Sequence, residues 1–132
     1  MYNMLLVKTS KDLSPIHGIG LFAAEKIMKG TMVWKFLKGF DLEIGPKLLS
    51  KMSDPARGQV LSYAYFNDKK NTYILCSDDA RFINHSDNPS TIDIGFNEEE
   101  GITVAAKDIE IGDEITSNYS SFHKKFLESG YN

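Results

Sequence analysis

The 132-residue sequence predicts a mainly β single domain of several short sheets with a few short helices, and three observations predict it. Apolar and β-branched residues come in runs of four or five, bounded by Gly, Asn, Asp or Lys, which is the punctuation of strands. Residues 92–96 (Ile-Asp-Ile-Gly-Phe) repeat with the period of 2 that a half-buried strand requires. Helix-opening signals are confined to the middle and the end of the chain.

Taken in order, residues 1–8 hold an apolar run too short to span a membrane and without the basic stretch of a signal peptide. They read as a first strand. Residues 33–37 (Val-Trp-Lys-Phe-Leu) read as another, with Trp34 in the core. Residues 46–52 suit a turn or two of helix. Asp54-Pro55 fits an N-cap followed by proline at the first helical position, opening a helix towards Ser62. Residues 73–76 form a short strand, with Tyr73 against the core. Strands at 92–96 and 102–105 are joined by Asn97-Glu98-Glu99-Glu100-Gly101, which reads as a solvated hairpin turn. Residues 121–128 suit a C-terminal helix with Phe122 and Phe126 on one face.

A quasi-repeat runs through these elements. Ala23, Ala24, Ile27 and Gly30 match Ala105, Ala106, Ile109 and Gly112, and Val33 matches Ile115 in type. Each copy reads as strand, tight turn at glycine, strand.

Composition narrows the function classes. A chain 42% hydrophobic and 25% charged is an ordinary globular protein. Its net charge of -3 supplies no basic footprint for nucleic acid. Cys76 is the only cysteine, which excludes an internal disulfide and a cysteine zinc cluster and points to the cytoplasm.

The most informative stretch is Arg81-Phe82-Ile83-Asn84-His85-Ser86, followed by Glu114-Ile115-Thr116-Ser117-Asn118-Tyr119. Asn84 and His85 sit inside an apolar run. Burying an amide or imidazole without a partner costs about 1–3 kcal/mol, so polar partners are expected for both.

Three separated motifs resemble those of the SET-domain protein lysine methyltransferases. His17-Gly18-Ile19-Gly20-Leu21-Phe22-Ala23 resembles the family's GxGxFA motif, residues 81–89 resemble RFINHSCxPN, and Gly112-Asp113-Glu114-Ile115-Thr116 through Tyr119 resembles GEELTxxY. The resemblance spans roughly residues 3–120, with a motif core at 16–120 and a short tail at 121–132. It is similar to compact viral and bacterial members without the zinc modules that flank many relatives. The fold implied is the β-clip-like SET fold with a C-terminal pseudoknot.

The resemblance also implies the chemistry. S-adenosylmethionine donates a methyl group to a lysine amine of a protein substrate, a histone tail or another protein, leaving S-adenosylhomocysteine. Presenting a neutral lysine amine at pH 7, against an ordinary pKa near 10.4, costs roughly 4–5 kcal/mol. An apolar channel lined by tyrosines lowers that cost and aligns the reacting atoms. Tyr119 corresponds to the catalytic tyrosine. Tyr63 is expected beside it in a catalytic role. Gly18, Ile19, Gly20, Asn84 and His85 correspond to cofactor-binding positions, as does Tyr119 itself, with the glycines letting backbone approach the ligand.

Phe82 reads as packing beneath the site or touching the cofactor, and His17 as a surface-loop residue. Tyr63 or Tyr65 lines the channel, Tyr63 preferred; on a strand the two would share a face. Phe122 is a candidate to close the channel, unless a second subunit of a homodimer does so. Three positions depart from the family pattern: Asp87 replaces Cys, Ser90 replaces Asn with loss of a hydrogen-bonding group near the pseudoknot, and Ser117 replaces Phe or Tyr. A small residue at 117 leaves room for di- or trimethylation. The competing class is an inactive SET-fold interaction module, with another cofactor-using enzyme behind it. A host nucleus would be the location for a viral or secreted protein.

Overall fold

The computed structural model describes residues 4–67, 70–94 and 102–118. Ten short strands and two helices follow in the order β1 (Thr9–Leu13), β2 (Ile19–Ala23), β3 (Met32–Lys35), β4 (Leu42–Ile44), α1 (Pro46–Ser50), α2 (Asp54–Tyr63), β5 (Tyr65–Asn67), β6 (Thr72–Leu75), β7 (Asn84–His85), β8 (Thr91–Ile94), β9 (Ile102–Ala105) and β10 (Thr116–Ser117). A 3-10 turn, Asp79–Phe82, precedes β7. The strands form four small sheets: β1-β2, β3-β9-β8, β4-β6-β5, and the parallel pair β7-β10. Mainly β with few short helices is the expected class. No helix among the described residues is long and apolar enough to cross a membrane.

Among the described residues, the strand expected at 1–8 is reduced to a short segment paired with β3. Residues 4–8 make one bridge, Leu5 to Trp34, and Leu5 and Val7 pack half-buried on the core. The first strand is instead the polar β1, antiparallel to β2 from Thr9–Ala23 to Leu13–Ile19. Its partner carries the apolar load: Leu21 and Ala23 are buried while β1 stays largely exposed. A strand that shields a neighbour's backbone needs no apolar face of its own, so hydrophobic periodicity misses it.

The helices follow their capping chemistry with a shift of one residue. Ser53, not Asp54, caps α2 by accepting a hydrogen bond from Ala56 N (3.3 Å), which leaves Pro55 in the first turn. The Arg57 guanidinium clasps the two helices, donating to Leu49 O (3.1 Å) and Met52 O (2.6 Å). The proposed C-terminal helix and the 97–101 turn lie outside the described residues.

The quasi-repeat is a paired structure. Ile27 and Ile109 exchange backbone hydrogen bonds of 2.9 and 2.8 Å, Gly30 N donates to Ala105 O, and Gly112 N donates to Ala23 O. Each copy's glycine thus closes on the other copy's alanine. Both glycines need positive φ, +88° and +90°, a region costly for residues with a Cβ. Ile27 and Ile109 meet at the centre of the main core with Leu21, Val33, Trp34 and Ile115. After its glycine the first copy enters β3, whereas the second makes only the bridge Phe22–Glu114 before reaching β10.

β10 is laced into the fold by side chains. Ser90 N donates to Thr116 Oγ1 (3.0 Å), Thr116 N donates to Ser90 Oγ (2.9 Å), Ser90 Oγ donates to Glu114 O (3.2 Å), and Thr91 Oγ1 donates to Thr116 O (2.8 Å). The hydrogen-bonding capacity expected to vanish with serine at position 90 is therefore present. A shorter side chain reaches because the 116 backbone passes directly beside it. This non-local lacing is what a C-terminal pseudoknot demands of residues 114–118.

Candidate functional site

A cleft of about 320 Å³ opens where three parts of the chain meet: residues 16–19, residues 61–64 at the end of α2, and residues 81–85. The turn that leads into β2 supplies the first wall. Ser14 N donates to Gly18 O (2.8 Å), and Gly18 adopts φ +46° with nothing within 4 Å of an added Cβ. Gly18 is thus required for its backbone conformation. Ile16 and Ile19 stay half exposed at this wall.

Gly20 does something else. It is buried on β2 outside the cleft lining, and a Cβ there would lie 2.6 Å from Glu114 Oε2 and 2.9 Å from Ser14 Cβ. The second glycine of the motif makes room for a carboxylate of the third motif.

Asn84 ties the site together. Its Nδ2 donates to His17 O (3.0 Å) and Glu114 Oε2 (3.0 Å), with Ile19 O at 3.5 Å. Here are the partners that its place in an apolar run required. His17 is an exposed loop residue that lines the cleft and offers its carbonyl to Asn84. His85 also lines the cleft, and its Nε2 lies 3.0 Å from Asp87 Oδ1, so the aspartate in place of the family's cysteine gives the imidazole a partner.

Aromatic residues form the opposite wall. Tyr63, the last residue of α2, meets Phe82 edge-on with ring centroids 5.7 Å apart. Phe82 both packs on the core and lines the cleft, with Lys11 Nζ 5.7 Å from its ring centroid. Tyr65 opens β5 and stands edge-on to Trp34 at 6.1 Å, outside the cleft lining. Tyr63 and Tyr65 do not share a strand face, because α2 ends at Tyr63 and β5 begins at Tyr65.

Arg81 also lines the cleft, donating its Nε to Cys76 O (3.2 Å). It opens the most informative motif, yet a lone arginine beside an apolar run gives no sign in sequence of which way it faces.

Ser117 pairs with His85 in the β7-β10 ladder, but its side chain is buried against Asp93, donating to Oδ2 at 3.3 Å. Its small size serves that contact. Tyr119 and Phe122 lie outside the described residues; Tyr119 follows Ser117 by two positions. Among the described residues no cluster of His, Cys, Asp and Glu could hold a metal ion.

Asp93 also accepts from Thr103 Oγ1 at 2.7 Å. Burial pushes its carboxyl above the ordinary range, against the lowering effect of the two hydroxyl bonds. The folded protein therefore holds this proton to higher pH than the unfolded chain. Stability falls as pH rises from the ordinary carboxylate value through the raised one. Asp93→Asn keeps the shape and lets both hydroxyls bond, so it should raise Tm at pH 7, with a smaller gain near pH 4. Thermal melts at the two pH values check this; a loss at pH 7 would contradict it.

The SET domain family model matches residues 18–120, which include the second and third motifs and all but the first residue of the first. The chain belongs to the SET-domain family. No curated protein sequence matches it. Among solved structures, this SET domain is similar to a Plasmodium falciparum protein assigned as a histone methyltransferase. The two share 22% identity at a TM-score of 0.62, over 87% of this chain and 95% of that one. It is also similar to a chain of the apo ctPRC2 complex with mutations in Ezh2, at 23% identity and a TM-score of 0.68. That match covers 96% of this SET domain and 16% of the larger chain. Likenesses at this identity establish the fold.

Proposed function

We propose that this SET domain binds S-adenosylmethionine in the cleft and transfers its methyl group to a lysine side chain of a protein, releasing S-adenosylhomocysteine. The observation that carries the reading is that Asn84, in the cleft wall, bonds through one amide to the first motif at His17 O and to the third at Glu114 Oε2. The residues present fit the cofactor. The cleft volume of about 320 Å³ lies within the range of small-molecule sites. Leu61, Phe82 and Ile83 offer apolar surface for a purine, and Arg81 offers a permanent positive charge for a carboxylate. Gly18, Ile19, Asn84 and His85 would hold the ligand. When bound, it supplies a methyl group on a sulfonium centre.

The chain's own part is to present the lysine amine unprotonated and aligned. Tyr63 and Phe82 give the cleft an aromatic wall against which the apolar stem of a lysine would pack. Tyr119, two positions beyond β10 in the sequence, is the proposed catalytic residue because it ends the third motif. Histone tails are the first substrates to try, because the similar Plasmodium falciparum protein carries that assignment.

The test is transfer of an isotopically labelled methyl group to histone tails and other lysine-rich proteins, followed by mass spectrometry. Tyr119→Phe should lower the rate on the order of a hundredfold, as loss of one positioned hydroxyl does, with cofactor affinity little changed. Undiminished transfer by Tyr119→Phe would remove the proposed role. A protein that binds the cofactor yet methylates no lysine would favour the interaction module.

A further inference from the structure

Glu114 does not line the cleft, yet its carboxylate grips the residue that holds the cleft together. The Asn84 amide nitrogen has two hydrogens and faces three oxygens, His17 O, Ile19 O and Glu114 Oε2. The flipped amide would set oxygen against all three, so the orientation is determined by its neighbours. Asn84 Oδ1 is left as an acceptor that receives no hydrogen bond from the described residues. Glu114 is itself anchored. Ser14 Oγ donates to its carboxylate (2.8 Å to Oε1, 2.9 Å to Oε2) and accepts from Ile16 N (3.0 Å) in the turn that enters the cleft wall. Gly20 keeps the space that this carboxylate fills.

We infer that Glu114 is a positioning residue: with Ser14 it fixes the Asn84 amide so that Oδ1 is presented to an N–H or ammonium donor of the bound ligand. The inference rests on the cofactor reading above and adds to it a residue that acts only through another. Glu114 also joins the third motif to the first two, which couples the placement of β10 to the shape of the cleft.

A double-mutant cycle tests it. S-adenosylmethionine is titrated by calorimetry into the unaltered protein, Glu114→Ala, Asn84→Ala and the double variant, with thermal melts to confirm folding. Glu114→Ala should weaken binding about tenfold, the effect of one lost hydrogen bond to a buried partner. The double variant should bind no more weakly than Asn84→Ala alone, because Glu114 has nothing left to orient. Glu114→Gln, whose amide oxygen can still accept from Asn84, should restore most of the affinity.

Should Glu114→Ala not fold, Ser14→Ala takes its place, with a loss of about threefold and the same non-additivity. Affinity unchanged in Glu114→Ala, or losses that add in full, would overturn the inference while leaving the cofactor reading intact. No binding by the unaltered protein would overturn both.

Discussion

Asn84→Ala should reduce S-adenosylmethionine affinity at least about a hundredfold, the largest effect expected of any single change at the cleft. Two losses combine. The ligand loses a polar partner, and the first motif loses its tie to the other two, since His17 O and Glu114 Oε2 both bond to this one amide. Each interaction is worth about 0.5–1.5 kcal/mol, more where a charged group is left unpaired. The exposed carbonyl of His17 can turn to water, so stability should fall only by about 1–2 kcal/mol. Affinity is therefore expected to suffer far more than Tm. A variant that binds within threefold of the unaltered protein would show that Asn84 is structural only.

The largest stability effect should come from the axis of the quasi-repeat. Ile109→Ala is expected to destabilise the domain by about 3–4 kcal/mol, within the range for removing a fully enclosed aliphatic side chain. That is a large fraction of the 5–15 kcal/mol typical of a whole domain. Ile109 is 1% exposed and packs with Ile27 between the two glycine turns. Ile111, two residues on, is 70% exposed, and its change to alanine should shift stability by no more than about 0.5 kcal/mol. Denaturant titration of both variants measures the contrast. Equal midpoints would contradict the placement of the core.

Much of this architecture is legible in the residues. Short apolar runs predict strands at 73–76, 92–96 and 102–105, and the structure has strands at Thr72–Leu75, Thr91–Ile94 and Ile102–Ala105, with residues 95 and 96 outside the described ones. The Asp54-Pro55 pair marks the helix start within one residue, the observed cap being Ser53. Three motifs sufficed to name the family.

What escaped notice has a common physical cause. β7 and β10 are two residues each, too short for any period, and β10 is tied to Ser90 and Thr91 by hydroxyl bonds across about 25 positions of sequence. β1 has no apolar face because its work is backbone pairing. Gly20 reads from sequence as a place for ligand approach, and only the position of Glu114 shows that a carboxylate occupies the space. Tyr63 and Tyr65 diverge because a helix ends at one and a strand starts at the other. Each of these depends on what comes alongside from elsewhere in the chain, which local patterning does not encode.

The central claim is that the cleft walled by residues 16–19, 61–64 and 81–85 is a cofactor site, and calorimetric titration of S-adenosylmethionine into the unaltered protein tests it most directly. The account predicts saturable binding of one molecule per chain, displaced by S-adenosylhomocysteine. No heat and no saturation at millimolar cofactor, from protein shown to be folded, would contradict it.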